Sequence, residues 1–384
     1  MSFWGYTRPD GSAGTRNYVG IISTVACSCD VAQNIANKVE GTVPFLHYQG
    51  CDHLQPDKEL VERTLVNLGW NPNIAGVLLV GLGCEVVDVH SILNRIAESG
   101  KPVARVVIQE IGGTSATIVE GSRIAHQMIS DASRIKREKM DDSYLTLGSK
   151  CGGSDATSGL AANPVIGKVC DLLLQNNGSV VFSETTEFIG AEHLLARRGD
   201  SPEVRQRILD VVNRYERRVL SWGVDMRGGN PTTGNIEGGL TTIEEKSLGA
   251  ISKVGTKPVN RVYDYGERAT GKGLFMIDGP GQDTKSMTAL AAAGAQIILF
   301  STGLGNPLGF PFVPVVKVTA NHVTYQRMQE NMDVYVDLAK LDSIEKQGRL
   351  LYQEVLEVAS GKPTRAEALG LTNFGGIHTF GPTL

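Results

Sequence analysis

The sequence predicts an α/β protein of two domains, each with a mostly parallel sheet flanked by helices and with its site in loops at the C-terminal strand ends. A chain of 384 residues is longer than one hydrophobic core supports. From Tyr18 onward strand-like segments alternate with helix-like ones, and the strand-like segments are apolar almost throughout, which is typical of buried parallel strands. A charged stretch at 134–142 separates the halves, so we predict domains at 1–140 and 141–384.

The first half is predicted to begin with a turn-rich lead-in over 4–17 and then to alternate strand and helix. Strands are predicted at 18–25, 43–46, 74–80 and 103–108, and helices at 30–39, 57–68, 91–98 and from about 114 to 137. Polar or glycine-rich residues follow the strand ends, namely Cys27, His47, Cys51, Cys84 and Gly112-Gly113. Because ligands bind beyond the C-terminal ends of parallel strands, this coincidence predicts a single site there.

The second half begins with a strand at 144–147 that leads into Cys151-Gly152-Gly153-Ser154-Asp155 and a helix at 163–174. Adjacent glycines allow positive φ, and the N–H groups of this turn and of the following helix favour a bound anion. A long loop at 228–242 enters a helix at Ile243, where Thr241 or Thr242 resembles an N-cap, so an ordered loop is expected. The other predicted elements are strands at 180–183, 274–277, 296–300 and 315–318 and helices at 194–198, 202–219, 284–293 and 344–360.

Composition argues against several classes of protein. The chain is 41% hydrophobic and 20% charged, with net charge −4, and no cluster of basic residues alternates with aromatics, which argues against nucleic-acid binding. It has no apolar run of membrane-span length and no signal peptide pattern, so a cytoplasmic protein is expected. No Gly-x-Gly-x-x-Gly follows the first strand and no phosphate-loop motif is present, which disfavours a nucleotide-dependent enzyme.

The six cysteines of this chain are expected to be thiols or metal ligands and not a disulfide framework. Cys51, Cys84 and Cys151 lie in glycine-flanked loops and would suit an iron–sulfur cluster with an open iron, or one divalent metal ion. The residues equally allow buried thiols packed at the bases of loops. Cys29 and Cys170 lie in apolar helical surroundings and are assigned to the core.

Candidate acid–base and substrate-binding groups lie near the same loops. His193 and His47 are the candidate general bases, and glutamates at 184, 187 and 192 lie close to His193 in the chain. Arg16 precedes the first strand and could clamp a carboxylate through its planar guanidinium. Lys246 lies one turn inside a predicted helix. For each of these residues a structural or surface role is an open alternative.

Several separated segments together resemble the altronate dehydratase and galactarate dehydratase family, and the likeness extends over nearly the whole chain. The matching segments include Gly14-Thr15-Arg16-Asn17-Tyr18, Gly50-Cys51, Gly81-Leu82-Gly83-Cys84-Glu85, Gly112-Gly113-Thr114, Cys151-Gly152-Gly153-Ser154-Asp155, Gly190-Ala191-Glu192-His193, Asn230-Pro231, Gly238-Gly239-Leu240-Thr241-Thr242 and Glu245-Lys246-Ser247-Leu248-Gly249. Together these segments are far more specific than any single glycine-rich loop.

The resemblance implies iron-dependent β-elimination of water from a sugar acid, giving an enol that becomes a 2-keto acid. It implies iron, as Fe²⁺ or as a cluster, held by Cys51, Cys84 and Cys151, and a base at His193 or His47. It also implies a set of residues that hold a small anionic hydroxy acid: Arg16, Ser154, Asp155, Asn235, Thr241, Thr242 and Lys246. Lys246 is also expected to be one of the catalytic residues. Longer family members have a small N-terminal domain, so the resemblance implies the large subunit of an oligomer with a separate small subunit.

Three departures from the family pattern bear on the substrate. Asp52 follows Cys51 where glycine is usual, Leu304 follows Ser301-Thr302-Gly303 where arginine is usual, and Thr233 replaces a usual proline. Loss of the guanidinium at 304 removes a planar clamp for a carboxylate or hydroxyl. Dehydration of altronate or galactarate therefore has two alternatives. One is the large subunit of (2R)-sulfolactate sulfo-lyase, which releases sulfite and pyruvate, and the other is a non-catalytic binding subunit.

Overall fold

The computed structural model describes residues 1–339, 344–372 and 375–381. The elements of the first half are strands β1 (Ser2–Thr7), β2 (Ala13–Gly14), β3 (Tyr18–Ser23), β4 (Thr42–Phe45), β5 (Ile74–Gly81), β6 (Val103–Val107) and β7 (Glu138–Asp141), and helices α1 (Cys29–Lys38), α2 (Asp57–Trp70), α3 (Val89–Ala97), α4 (Ile108–Ile111) and α5 (Thr114–Ala132). The alternation of strand and helix predicted from Tyr18 onward is therefore confirmed.

A parallel sheet with strand order β4-β3-β5-β6 forms the centre of the first half. Alternate residues of β3 and β5, such as Ile21 and Leu78, pack against α1 and α5 on one face. Residues of the opposite face, such as Ile22 and Leu79, pack against α2 and α3. Burial on both faces explains why these strands are apolar almost throughout.

The second half contains strands β8 (Thr146–Cys151), β9 (Ser179–Phe182), β10 (Val259–Tyr263), β11 (Gly273–Ile277), β12 (Ile297–Ser301), β13 (Val315–Thr319) and β14 (Val334–Tyr335). Its helices are α6 (Asn163–Gln175), α7 (Glu192–Ala196), α8 (Pro202–Ser221), α9 (Met226–Gly229), α10 (Thr233–Glu237), α11 (Ile243–Ser252), α12 (Asp283–Ala292), α13 (His322–Arg327), α14 (Ile344–Ala359) and α15 (Arg365–Ala368). In the described part of the chain these strands form one parallel sheet of order β10-β11-β9-β8-β12-β13-β14.

The two parallel sheets pack against a common layer of helices, and one hydrophobic cluster contains residues of both sheets. One face of the large sheet, with Leu147 and Leu299, packs against α6, α8 and α14. The other face, with Phe275 and Ile298, packs against α12 and against α2 of the first half. The halves are therefore joined by a continuous apolar layer.

The lead-in over 4–17 contains a strand that the sequence analysis assigned to turns. β1 pairs antiparallel with β2 and with β7, which lies in the charged stretch expected to be a linker. Phe3 of β1 is buried, and this burial secures the strand although its sequence is short and contains Gly5. The boundary at 140/141 falls inside β7, and the division into domains at that point stays a prediction. In the described ranges no helix combines the length and apolar character needed to cross a bilayer.

Buried asparagines hold the two halves together. Asn73, between α2 and β5, donates through Nδ2 to Gln296 O and Phe312 O, both at 2.9 Å. Asn71 donates through Nδ2 to Ala291 O and Ala295 O, also at 2.9 Å. Because these amides donate to buried carbonyl groups of the second half, losing them would remove hydrogen bonds that join the two halves.

Arg16 joins the start of the chain to its C-terminal region, and this arrangement differs from the expected substrate contact. Its Nε and Nη2 donate to the Glu367 carboxylate, both at 2.8 Å, while Nη1 donates to Thr15 O and Val358 O and Nη2 also to Lys362 O. Arg16 precedes β3 and so lies at the N-terminal edge of its sheet, opposite the edge where ligand loops gather. The structure gives Arg16 a structural role, since every guanidinium N–H is used.

We expect Arg16→Met to lower the free energy of unfolding by about 3 kcal/mol, because Glu367 would remain as a partly buried, uncompensated carboxylate. Arg349→Met is the matched control, since it removes an exposed pair with Glu345 in one helix and should cost about 0.5 kcal/mol or less. Urea-induced unfolding of the two variants measures the difference. An unchanged midpoint for Arg16→Met, together with weaker substrate binding, would instead support the original substrate-binding role.

Candidate functional site

A buried group of charged side chains lies at the C-terminal ends of β8 and β9. Lys253 Nζ donates to Glu184 Oε2 at 2.5 Å and to Cys151 Sγ at 3.0 Å. Lys150 Nζ lies 3.4 Å from Glu184 Oε1 and donates to Asp283 Oδ1 at 2.5 Å. Asp283 is the one partly open member, with 26% of its side chain exposed. We call these five residues the lysine–glutamate group.

The protonation states within this group follow from burial and charge. Burial opposes the charge on both lysines, but the neighbouring Glu184 carboxylate and the other acidic groups outweigh it and raise the pKa of Lys150 and of Lys253. Burial, assisted by Glu184 and opposed by Lys253, raises the pKa of the Cys151 thiol to about 11. Because Lys253 already faces the Glu184 carboxylate, Cys151 is a neutral thiol at neutral pH.

Glu184 itself is strained and only partly satisfied. Its φ of +76° lies in the left-handed region that favours glycine. Its Oε2 accepts from Cys151 N at 3.1 Å as well as from Lys253, whereas its buried Oε1 accepts no hydrogen bond from the residues that the structure describes. A strained residue whose buried oxygen accepts no hydrogen bond is typical of a functional site.

The lysine–glutamate group connects to a surface cavity through Glu187 and Lys246. Glu187 is close enough to Cys151 to contribute to the raised pKa of that thiol, and its Oε2 lies 3.2 Å from Lys246 Nζ. Lys246 Nζ also donates to Asn230 Oδ1 at 2.9 Å and to Asn235 Oδ1 at 3.3 Å. The cavity measures ≈ 250 Å³ and is lined by residues of α11 and of the loop after β8, including Ser154, Asp155, Ser158, Asn163, Glu245, Lys246 and Leu248.

Several residues predicted to bind substrate surround this cavity. Ser154 and Asp155 line it, and Asn235 Nδ2 donates to Ser154 O at 2.8 Å. The Asp155 carboxylate accepts from Ser158 N at 3.0 Å and from Asn321 Nδ2 at 2.8 Å. Asp155 therefore orders the cavity wall, whereas Lys246 supplies its positive charge.

Thr241 and Thr242 lie next to the cavity, at the start of α11. The predicted N-cap is confirmed, because the Thr242 hydroxyl accepts from Glu245 N at 3.2 Å. Both threonines line a neighbouring cavity together with Asn230, which accepts a hydrogen bond from Lys246. The structure thus groups Ser154, Asp155, Asn235 and Lys246 and places the two threonines beside them.

The two candidate bases have very different surroundings. His47 is buried, its Nε2 bonds to Ser23 O at 2.8 Å and its Nδ1 accepts from Gln49 N at 3.1 Å. Burial lowers the pKa of His47 to about 4, so the ring is neutral and both nitrogens are occupied. His193 is exposed at the start of α7, and among the described residues its ring has no hydrogen-bond partner. His193 is therefore the histidine of the two that is free to accept a proton.

The thiols predicted to share a metal lie at the edges of two different sheets. Cys51 and Cys84 are exposed in loops after β4 and β5, whereas Cys151 is buried at the end of β8. The first two loops are joined by a hydrogen bond from Val86 N to Gly50 O at 3.1 Å. The pKa of Cys51 is raised by partial desolvation, then by Asp52, and also by the nearby Cys84 and Cys27 thiols. Cys151 is not among the neighbouring groups that raise the pKa of Cys51.

The donor set does not fit a three-thiol metal centre in this arrangement. Within residues 1–339, 344–372 and 375–381, no three His, Cys, Asp or Glu side chains are grouped so that they could hold a metal ion. Cys151 is buried at the edge of a different sheet and already accepts a hydrogen bond from Lys253. The iron and its ligand set therefore stay predictions.

Asp52 stands where the family pattern has glycine, and its backbone keeps a conformation that glycine favours. Its φ of +52° lies in the left-handed region, which aspartate tolerates better than most residues.

Three members of the group, Lys150, Lys253 and Asp283, are not among the site residues predicted from the sequence. Lys150 carried little signal, because the predicted strand ended at 147 whereas β8 extends to Cys151 and buries this lysine. Lys253 and Asp283 carried none, since their partners lie far away in the chain. Glu184 and Glu187 were noted only as neighbours of His193, and their contacts are with lysines instead.

Two family models match the chain in succession. One describes the second domain of D-galactarate dehydratase/altronate hydrolase and matches residues 5–133, and the other describes the C-terminal part of D-galactarate/altronate dehydratase and matches residues 142–380. Together they cover most of the sequence.

Individual relatives agree with these models. The (2R)-sulfolactate sulfo-lyase subunit beta of Chromohalobacter salexigens is 38% identical over 97% of this chain and 96% of its own length. The altronate dehydratase of Bacillus subtilis is 36% identical over 94% of this chain and 74% of its own length. The galactarate dehydratase of Escherichia coli is 33% identical over 97% of this chain and 75% of its own length. These relatives are carbon–oxygen and carbon–sulfur lyases, and the chain therefore belongs to the D-galactarate/altronate dehydratase family.

Proposed function

We propose that this protein is a lyase that catalyses β-elimination from a small anionic hydroxy acid, most simply the dehydration of altronate or galactarate to a 2-keto-3-deoxy acid. The observation that carries the proposal is the geometric path from the ≈ 250 Å³ cavity to the buried lysine–glutamate group: Lys246 lines the cavity and lies 3.2 Å from Glu187 Oε2, and Glu187 N donates to Glu184 O at 2.8 Å. A cavity with the Lys246 ammonium in its wall, close to the desolvated ammonium groups of Lys150 and Lys253, suits a substrate on which negative charge develops during the reaction.

The elimination needs a base, a leaving-group donor and stabilisation of an enolate. In the proposed reaction His193 removes the proton next to the carboxylate, the C–O bond breaks, and the departing hydroxide takes up that proton from the His193 imidazolium, so that it leaves as water and the neutral ring is restored. The enol then becomes the 2-keto acid. Lys246, with Asn235, Thr241 and Thr242 beside it, would hold the carboxylate, and the two buried ammonium groups would lower the energy of the developing negative charge.

A second candidate is elimination of sulfite from (2R)-sulfolactate, in which a C–S bond breaks and pyruvate is formed. It is supported by Leu304, which lies at the site because its backbone N–H donates to Gly153 O at 2.8 Å. A leucine there cannot replace the guanidinium that sugar-acid relatives would use to hold a polyhydroxy chain. The alignment with a sulfo-lyase subunit over nearly both full lengths also favours this candidate.

We also propose that the protein acts with a separate small subunit. The sulfo-lyase relative is named as subunit beta, and the dehydratase relatives are longer than the region that aligns with this chain. Iron, as Fe²⁺ or as a cluster, remains part of the proposal through the family resemblance. No step of the elimination is assigned to it, because the described donors are not gathered into one centre.

The proposed function is tested by incubating the protein with altronate, galactarate and (2R)-sulfolactate, with and without iron and a co-expressed small subunit. We expect 2-keto acid from one of the three substrates, and Lys246→Met should lower kcat/KM by about tenfold or more, since it removes a charged hydrogen bond to the carboxylate. Lys168→Met is the control, because Lys168 pairs with Glu345 away from the cavity. Absence of turnover in every combination, with binding retained, would favour the non-catalytic subunit.

A comparison of the two histidines tests the assignment of the base. We expect His193→Gln to lower kcat by about 10²–10⁴-fold without changing the unfolding midpoint, because the ring is exposed and acts only in proton transfer. His47→Gln should lower the unfolding midpoint and leave kcat of the folded protein nearly unchanged, because its ring fills a buried hydrogen-bonded position. Normal kcat in His193→Gln would remove it from the proposed mechanism.

Iron and acid-labile sulfide in anaerobically purified protein test the metal ligands. From the geometry we expect Cys151→Ser to keep the iron content of the wild type, and from the family resemblance we expect Cys51→Ser and Cys84→Ser to lose iron together. Cys170→Ser, at a buried thiol of the core, is the control. Loss of iron in all three variants would instead support one shared site and require the two sheet edges to approach each other.

A further inference from the structure

A second cavity carries a concentration of positive charge that the elimination chemistry does not use. It measures ≈ 340 Å³ and its lining includes four arginines: Arg63, Arg95, Arg261 and Arg268. Arg63 belongs to α2 and Arg95 to α3 of the first half, while Arg261 lies on β10 and Arg268 follows it in the second half. We call this the arginine cleft. It is built from both halves of the chain.

The guanidinium groups are held in place mainly by uncharged contacts. Arg63 donates through Nε and Nη2 to Tyr265 O, at 3.2 and 2.7 Å. The Arg268 guanidinium stacks on the Trp70 ring at 4.1 Å, and that of Arg261 lies over the Tyr263 ring at 4.7 Å. Such contacts fix the planes of the side chains and leave N–H groups at their edges free for a ligand.

The positive charge of the cleft is not matched by carboxylates. In the described part of the chain, Arg63, Arg95 and Arg261 form no ion pair, and Arg268 reaches only Asp10, at 3.5 Å. The acidic residue that lines the cleft is Glu267, whose Oε2 accepts from Asp264 N at 2.8 Å. Gathering cations without partners is unfavourable, and a bound anion would offset that cost.

We propose that the arginine cleft binds a small multivalent anion, one that carries at least two phosphoryl or carboxylate groups. The concave shape and the contribution from several elements favour a compact ligand. Bidentate pairing with guanidinium forks is the contact that phosphoryl and carboxylate oxygens make best. Because the arginines come from both halves, a bound anion would link α2 and α3 to β10 and stabilise their docking.

Titration calorimetry with inorganic pyrophosphate, and separately with citrate, tests this binding site at constant ionic strength. We expect saturable binding of at least one probe and a rise in Tm that sodium chloride does not reproduce. The double variant Arg95→Ala, Arg261→Ala should weaken binding by at least about tenfold. Its folding is expected to be retained, since neither arginine forms an ion pair with another described residue. Arg261→Lys, which keeps the charge but not the planar fork, should bind with intermediate affinity.

Two controls keep the test specific. Arg134→Ala removes one exposed positive charge just beyond the end of α5, on the opposite face of the first sheet, and should bind the probe like the wild type. Lys246→Met should also bind normally, which separates the arginine cleft from the proposed substrate cavity. Absence of binding by both probes, or equal affinity in the double variant, would overturn the proposal. Loss of binding in Lys246→Met alone would assign the probe to the substrate cavity instead.

Discussion

The second half of the chain depends on the compensation of charge at the ends of its buried central strands. Removing an ion from water is unfavourable unless a counter-ion and hydrogen bonds replace the solvent. Glu184 satisfies this requirement for Lys150 and Lys253, and its left-handed backbone is part of how it reaches them. Gly152 is required beside them, because a Cβ there would lie 2.6 Å from Asp283 Oδ1. The contacts of the lysine–glutamate group therefore join strand ends, a helix end and the candidate site in the second half of the chain.

Much of the fold could be predicted from the sequence because parallel strands are buried on both faces. Apolar runs such as those of β5 and β12 are stable only in that setting, and the helices between them complete the pattern. β1 could not be predicted, because its stability comes from pairing with β7, which is distant in the chain. The order of strands in the large sheet was equally inaccessible, since β8 and β9, early in the chain, lie between β11 and β12.

The candidate site could be predicted only in part. The rule that ligands bind at C-terminal strand ends led to the loop after β8 and, with the family resemblance, to Lys246. The same rule grouped Cys51 and Cys84 with Cys151, because it identifies strand ends without saying which sheet each belongs to. Arg16 shows a related ambiguity: a guanidinium that clamps an internal carboxylate, as Arg16 clamps Glu367, looks in sequence like one that clamps a substrate.

The amide contacts of Asn71 and Asn73 have a consequence for how this chain can be divided. A fragment starting near residue 141 would leave buried carbonyl groups without donors and Glu367 without its arginine. It would also expose the sheet face that packs on α2. Each half has a parallel sheet of its own, but the stability of each half depends on its contacts with the other. Neither half is therefore expected to fold when it is expressed alone. Exchange of one half between relatives would succeed only where the surfaces that pack together are closely matched.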